Sequence, residues 1–404
     1  MRYLAAALVM SVSLSLASCS YFLPSTTPSA FGLLADKGDT RPFEKPLPIN
    51  TQPKRLALGN SFAIGVKEDG TVWSWGSGSS GELGRGDYNE DAKEPRIIPN
   101  MTNFIEVAVG GRHVLALRKD GTVWSWGNNE KGQLGYKEDG HIEPNYYRAF
   151  QKAPKKIPDL KDVVSIGAGS SFSLALDKQG RVWGWGSNAH ILNNVQDNKD
   201  IKRMPTVVYE NEKVVKVVAT SFDSAVLTKD GKGFVWKYLS VDGSISKSDM
   251  PVSISTLLPN PKITIADIAL SHSNIYILAR DGFVYAQGKN MSGELGDGTF
   301  NSKKEFVKVK NIGHVTQVSR SLALDDKGRL WQWGGGVYAR PDLANMNSSR
   351  EPYPINILTD KNITFILRAN YGGAIGFSNG EVGMMLKKST LTISKPEKSL
   401  WTWK

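Results

Sequence analysis

Short apolar segments alternate with glycine-rich turns along most of the chain, and the alternation repeats. Each copy begins with an apolar run such as Val114–Leu117, passes through an Asp-Gly type turn, and resumes with a segment of the form Val-Trp-x-Trp. The turn glycines recur at intervals close to 51 residues and are Gly70, Gly121, Gly180, Gly231, Gly282, Gly328 and Gly380. A fixed period of this length predicts an array of similar supersecondary units.

Each copy predicts four short β-strands. Glycine tolerates the positive φ of the Asp-Gly turn, which therefore joins the first two strands as a hairpin. In Val-Trp-x-Trp the valine and the tryptophans point to opposite faces, which predicts burial on both faces of the sheet. A proline-led strand such as Pro95–Ile98 and a final strand such as Ile105–Val109 complete the unit. Seven such units predict an all-β, seven-bladed β-propeller of four-stranded blades over residues 45–404.

Copy two carries a longer motif. Gly111–Leu117 precede its hairpin, and Trp126–Gly135 follow it with the sequence Trp-Gly-Asn-Asn-Glu-Lys-Gly-Gln-Leu-Gly. Copies one and five keep the Gly-x-Leu-Gly loop, ending at Gly84 and Gly296, and the other copies lack it or keep fragments. The motif resembles the repeat of the regulator of chromosome condensation family, and the resemblance covers about 360 of the 404 residues. It implies a rigid propeller platform, which in a secreted bacterial member serves to inhibit another protein.

The recurring tryptophans and glycines are interpreted as parts of the fold. The tryptophans occupy fixed positions in every well-kept copy, as packing between blades requires, and Gly-x-Leu-Gly lacks the Lys-Ser/Thr ending of a phosphate loop. The terminal segment Leu400–Trp403 predicts the last strand of the seventh blade. Deleting residues 396–404 is therefore expected to destabilise the whole domain.

The first residues predict export and lipidation. Arg2 precedes an uncharged, mostly apolar run to Leu16, and Leu-Ala-Ser then leads into Cys19, which is the only cysteine of the chain. The run is too short for a transmembrane helix, which needs roughly 20 residues. The pattern resembles a bacterial lipoprotein signal, with residues 1–18 removed and Cys19 acylated, for example with palmitate; a plain signal peptide is the alternative. Residues 19–44, rich in Ser, Thr, Pro and Gly, predict a flexible tether.

The formal net charge is +11, but the basic residues are dispersed along the sequence. Dispersed charge indicates a solvated surface, with binding of an anionic polymer as the alternative. His113 holds the family's histidine position in one copy only, and the remaining histidines show no ligand spacing, so neither a metal nor a cofactor is expected. No acid or nucleophile lies in a catalytic motif, although a hydrolase site in the channel stays an alternative.

The resemblance also bears on small GTPases, because it implies that family members that exchange guanine nucleotides use acidic and histidine side chains at the start of the inner strands. The seven residues that precede the histidine position include no acid. They are Ser61, Arg112, Ser171, Phe222, Ser273, Ser319 and Gly372. We therefore expect no small GTPase partner, and nucleic acid is not expected either.

Two loops depart from the repeat and are predicted to hold the partner-binding residues. The longest interval between turn glycines contains Tyr146, Tyr147, Arg148 and Phe150, and the loop of copy six contains Tyr338 and Arg340. Tyrosine and arginine are frequent at energetically important interface positions. The alternative is that these aromatic residues fold back onto their own blade.

These features together predict a non-enzymatic lipoprotein of the bacterial cell envelope whose propeller serves as a protein-binding scaffold or inhibitor. The residue after Cys19 is a serine, which resembles the pattern of lipoproteins sent to the outer membrane rather than the inner one. The folded domain is then expected in the periplasm or on the cell surface. The alternative functions are binding of a glycan or extracellular nucleic acid through basic side chains, and hydrolysis in the channel.

Overall fold

The structure is a computed structural model of the chain. It describes residues 41–52, 54–86, 90–136, 150–187, 202–236, 251–271, 273–335, 350–368, 372–378 and 382–386. The described residues form antiparallel sheets, each of which is built from strands consecutive in sequence. The sole helical element among them is a single 3₁₀ turn, Ile254–Leu257. None of the helices in this part of the chain is long and apolar enough to cross a membrane.

The sheets are numbered in chain order. Sheet 1 contains β1 (Leu56–Leu58), β2 (Phe62–Val66), β3 (Val72–Gly78) and β4 (Glu90–Ile97). Sheet 2 contains β5 (Phe104–Val109), β6 (His113–Arg118), β7 (Val123–Asn128) and β8 (Phe150–Lys156). Sheet 3 contains β9 (Val163–Ala168), β10 (Phe172–Asp177), β11 (Arg181–Gly186) and β12 (Lys202–Glu210). Sheet 4 contains β13 (Val214–Ala219), β14 (Ser224–Thr228), β15 (Gly233–Trp236) and β16 (Val252–Ser253).

The remaining sheets follow the same order. Sheet 5 contains β17 (Ile265–Ser271), β18 (Asn274–Ala279), β19 (Val284–Gly288) and β20 (Lys303–Lys308). Sheet 6 contains β21 (Val315–Val318), β22 (Leu322–Asp325), β23 (Arg329–Gly335) and β24 (Arg350–Thr359). Sheet 7 contains β25 (Ile363–Arg368), β26 (Gly372–Phe377) and β27 (Val382–Leu386).

The prediction of a propeller with four-stranded blades is confirmed in six sheets. The prediction of seven such blades is wrong for the described chain, because sheet 7 has three strands. Its third strand ends at Leu386, and Leu400–Trp403, the segment predicted as its fourth strand, lies outside the described residues. Six complete blades and a three-stranded sheet are therefore the architecture that the structure supports.

The predicted hairpin turns have the expected backbone. Gly121 has a φ of +80°, and the five other described turn glycines also lie at positive φ. The structure adds a second constraint that the sequence does not reveal: a Cβ built on Gly121 would lie 3.0 Å from the Cα of Asp162, at the start of sheet 3. Each turn therefore requires glycine both for its own conformation and for contact with the following sheet.

The core lies between sheets rather than within one of them. Seven apolar clusters occur among the described residues, and each combines side chains of two neighbouring sheets. The first and last sheets meet in the same way, where Leu56 and Trp75 pack with Ala374. The ring is thus closed by packing, which is how a propeller buries both faces of every blade.

The chain reaches sheet 1 by crossing the channel. We call residues 43–55, apart from residue 53, the crossing segment. The amide of Phe43 donates to the carbonyl oxygen of Asp281 in sheet 5 (2.8 Å), and the carbonyl of Lys54 accepts from the amide of Val107 in sheet 2 (2.9 Å). Since sheets 5 and 2 are not neighbours, the segment spans the channel at the mouth that carries the hairpin turns.

Candidate functional site

The second tryptophan of the hairpin motif links neighbouring sheets by a hydrogen bond. Its indole N–H donates to the carbonyl of the variable residue in the Gly-x-Leu-Gly loop of the preceding sheet. The pairs are Trp126 with Glu82 at 2.7 Å, Trp185 with Gln133 at 2.8 Å and Trp333 with Glu294 at 2.8 Å. All three indoles are fully buried. This contact explains why tryptophan and the loop recur together, and it leaves these tryptophans no exposed face for a ligand.

His113 also takes part in the contacts between neighbouring sheets. It is fully buried, and its Nε2 lies 2.9 Å from the hydroxyl oxygen of Ser173. That hydroxyl donates its only proton to the carbonyl of Gln133 (2.8 Å), so Nε2 carries the histidine proton and donates it to Ser173. Burial lowers the pKa of His113 to about 3. The neutral histidine is a link between sheets 2 and 3.

Strand pairing revises one position in this histidine column. Gly372 pairs with Leu386 as His113 pairs with Gly127, so Gly372 holds the histidine position in sheet 7. The sequence pattern predicts Gly372 immediately before the histidine position, and thus sets that position one residue too late. No group of three or more potential metal-ligating side chains occurs in the described part of the chain.

The inner strands present polar side chains to the channel. Glu106, Ser165, Lys216, Asp267 and Gln317 occupy equivalent register positions in sheets 2 to 6. Several of them bond to the backbone of the next inner strand. Gln317 donates to the carbonyl of Thr364 (2.6 Å), and the hydroxyl of Ser165 accepts from the amide of Val217 (3.4 Å). These bonds satisfy polar groups along strand edges that face the channel.

The acidic side chains of this column are engaged by structural partners. Asp267 accepts from the ammonium of Lys216 (2.7 Å) and from the side-chain amide of Asn50 in the crossing segment (2.6 Å). Burial raises the pKa of Glu106 to about 7, against the opposing influence of Lys54 and Lys216. Both acids of this column are thus held by bonds and by neighbouring lysine charges.

An exposed apolar surface occurs on sheets 5 and 6, at the end of these sheets where the loops after the third strands lie. This end is the loop side. We call the surface the loop patch, and it consists of Met291, Phe300 and Tyr353, whose exposed fractions are 72%, 48% and 42%. A Cβ on Gly298 would collide with the Tyr353 ring, so the loop that carries Phe300 lies directly on β24. Large exposed apolar side chains that share a surface are typical of a binding site.

The loop that carries Met291 and Phe300 is held rigidly. Asn290 is fully buried, and its side-chain amide donates to the carbonyls of Thr299 (2.9 Å) and Asn301 (3.1 Å). Its side-chain oxygen accepts from the amide of Leu295 (2.9 Å). A rigid presentation lowers the ordering cost of binding a partner. The sequence carried one signal for this surface: Met291 replaces the polar Ser79 and Glu130 of copies one and two.

Most of the predicted site residues lie outside the described part of the chain. They are Cys19, Tyr146, Tyr147, Arg148, Tyr338 and Arg340. Phe150 is described, half-buried, as the first residue of β8, where it pairs with Asn128 of β7. Gly335, the last described residue before the loop with Tyr338 and Arg340, lies against Ser292, next to the loop patch.

Comparison with known families identifies the class of protein. Residues 71–376 match the RCC1-like domain family, and residues 54–82 match the regulator of chromosome condensation (RCC1) repeat. The first match covers well over half of the chain. The chain therefore belongs to the RCC1-like domain family, as its repeat motif suggested.

Individual relatives agree with this assignment. The chain is 32% identical to the mouse regulator of chromosome condensation over 324 residues, which are 73% of this chain and 75% of that protein. It is also 32% identical to the human E3 ubiquitin-protein ligase HERC2 over 216 residues, or 49% of this chain. The chain spans only 4% of HERC2, so this similarity concerns a small part of a much larger protein.

A solved structure shows the same fold. Prp20p from Saccharomyces cerevisiae superimposes with a TM-score of 0.62, at 20% identity, over 84% of this chain and 82% of that one. That structure was described together with the binding properties of Prp20p to Gsp1p and histones. At this level of identity the similarity establishes the propeller fold alone.

Proposed function

We propose that this protein is a non-enzymatic envelope lipoprotein whose propeller binds another protein through the loop patch. The observation that carries the proposal is the exposure of Met291, Phe300 and Tyr353 on a loop fixed by the buried Asn290. Family membership supports a protein-interaction scaffold, since an RCC1-like propeller offers a broad rigid surface. Tyr338 and Arg340, which lie outside the described residues, stay predicted partner-binding residues. Gly335, the last described residue before them, lies beside Ser292.

The channel geometry supports a binding role over catalysis. Asp267 is occupied by Lys216 and Asn50, and Glu106 is held by amides of the chain and by lysine charges. His113 is buried and neutral between two sheets. We therefore propose no hydrolase activity. The absence of a small GTPase partner stays a prediction, which rests on the export signal and the missing acids.

Membrane attachment is the second part of the proposal. Acylation of Cys19 would place the domain at an envelope membrane, and the outer membrane is our proposal because Ser20 follows the cysteine. Residues 19–44, predicted as a flexible tether, would link the lipid to the propeller. Several acyl chains on one cysteine give stable anchoring where a single chain does not.

The proposal is tested by capturing the tagged, full-length lipoprotein from its own cells after crosslinking. The informative variant combines Met291→Ser with Phe300→Ser. The matched control combines Val207→Ser with Val252→Ser, which removes side chains of 44% and 45% exposure from sheets 3 and 4. We expect one envelope protein to be lost with the first variant and retained with the second.

The salt dependence separates this proposal from binding of an anionic polymer. Apolar contacts at the loop patch should survive moderate salt, whereas polymer binding through lysines should weaken steeply as salt rises. Recovery of the same protein with both variants, or recovery of polymer at low salt only, would contradict the proposal.

A further inference from the structure

The channel encloses a cavity of about 1180 Å³. One end of it is crossed by the segment that contains Asn50, which lines the cavity. The volume exceeds the usual range of small-molecule sites, about 300 to 1,000 Å³.

The charges around this cavity do not balance. Four basic side chains face it among the described residues, Lys54, Arg55, Lys216 and Arg320. Two acidic side chains line it with them, Glu68 and Asp267, and Glu106 lies nearby with a pKa raised to about 7. Basic side chains therefore outnumber acidic ones in the described wall.

Lys54 lies among other cations of the cavity. Burial lowers the pKa of Lys54 below its ordinary value, and the charges of Lys216 and Arg320 lower it further. Asp267 and Glu106 act in the opposite direction without restoring the ordinary value. An anion placed among these cations would relieve their mutual repulsion.

One side of the cavity is apolar. Phe365 of sheet 7 occupies the register position that Gln317 and Asp267 hold in sheets 6 and 5, so an aromatic ring replaces a polar side chain there. Leu47 and Ile49 of the crossing segment also line the cavity. The wall therefore offers both cations and apolar surface.

We propose that the channel binds a small organic anion with an apolar body. Its anionic group would lie between Lys54 and Arg320, and its apolar body would pack against Phe365 and Leu47. Aromatic carboxylates and sulfonates have this chemistry. The site is separate from the loop patch, which lies on the loop side of sheets 5 and 6.

The test uses the intact propeller and the fluorescent probe 8-anilinonaphthalene-1-sulfonate, whose uncharged analogue N-phenyl-1-naphthylamine lacks only the sulfonate. We expect saturable binding of the sulfonate, weakened about tenfold by Lys54→Gln and about tenfold by Arg320→Gln, since a charge-assisted bond contributes about 1.5 kcal/mol. The analogue should bind equally to all three proteins. Thermal unfolding verifies that each variant is folded.

Two controls make the result decisive. Lys327→Gln removes an exposed cation of the sheet 6 hairpin turn and should leave sulfonate binding unchanged. Met291→Ser with Phe300→Ser should also leave it unchanged, which separates the channel from the loop patch. Equal sulfonate affinity of the wild-type protein and both channel variants, or loss of binding in the loop-patch variant, would overturn the proposal.

Discussion

The indole N–H of Trp185 in sheet 3 donates to the carbonyl oxygen of Gln133 in the loop of sheet 2, at 2.8 Å. The hydroxyl of Ser173 donates to the same oxygen, also at 2.8 Å, and itself accepts from His113. One backbone carbonyl thus joins two sheets through three buried side chains. Because the partners are 40 to 60 residues apart in sequence, these bonds form only when the ring is assembled.

Removing this link should weaken the whole domain. Trp185→Phe loses the hydrogen bond and part of a fully buried ring, and should lower the free energy of unfolding by about 2–4 kcal/mol. Trp73→Phe is the control, because Trp73 is only partly buried and bonds to Thr71 within its own hairpin. Urea unfolding measures both. Equal destabilisation by the two substitutions would show that the bond between sheets contributes no more to stability than the bond within one hairpin.

His113 should make stability depend on pH. The folded protein keeps the imidazole neutral down to pH about 3, whereas the unfolded chain takes up the proton below pH about 6.5. Stability should therefore fall as pH drops below 6.5, by about 1.4 kcal/mol per pH unit from this residue, and the contribution is complete above 6.5.

The variant His113→Gln keeps a donor for Ser173 and removes the titration. Its stability should decline less steeply than that of the wild type between pH 6.5 and 4.5, as measured by urea unfolding. Glu106, with its pKa raised to about 7, has the opposite dependence and loses stability as pH rises from 4.5 to 7. It is present in both proteins, so the difference between them isolates the histidine. Parallel pH profiles would refute the assignment.

The turn glycines should be sensitive for two separable reasons. Gly121 and Gly86 both have positive φ, +80° and +98°, but a Cβ on Gly86 meets nothing within 4 Å, whereas one on Gly121 meets the backbone of Asp162. Gly86→Ala should cost about 1 kcal/mol of unfolding free energy from backbone strain alone. Gly121→Ala should cost clearly more. Equal losses would mean that the contact between turn and next sheet is unimportant.

Lipidation of Cys19 is tested directly in cells. Metabolic labelling with an alkyne analogue of palmitate should label the wild-type protein and leave the Cys19→Ser variant unlabelled, since no other cysteine is present. The variant should also leave the membrane fraction. A labelled variant, or a wild-type protein that is unlabelled and soluble, would remove the anchor from our proposal.

Much of the fold could be predicted from the sequence, because the repeat imposes the same local rules on every copy. The hairpin-turn glycines recur in every copy, and the buried tryptophans recur in copies one to four and six. The three strands of sheet 7 mark where this reasoning failed, since the seventh copy keeps Asn379-Gly380 but lacks both the tryptophans and the Gly-x-Leu-Gly loop by which other copies are recognised. The pairing of Trp185 with Gln133 joins residues from two copies and has no local signature.

The loop patch and the channel site were much less predictable from the sequence. Met291 and Phe300 form a surface only because Asn290 folds their loop onto itself, and Tyr353 joins them from another sheet. The channel charges are even more dispersed: Lys54 and Asp267 are more than 200 residues apart and meet because the crossing segment spans the ring. Non-periodic residues such as these owe their position to the assembled ring, which no single repeat encodes.

The central claim is that the loop patch contacts one protein, and site-specific photocrosslinking in living cells tests it most directly. A photoreactive amino acid at position 291 should yield one crosslinked envelope protein, with an unchanged yield at moderate salt. The same amino acid at position 207, an exposed site on sheet 3, should yield none. Crosslinks of equal pattern from both positions, or no protein crosslink from position 291, would contradict the account.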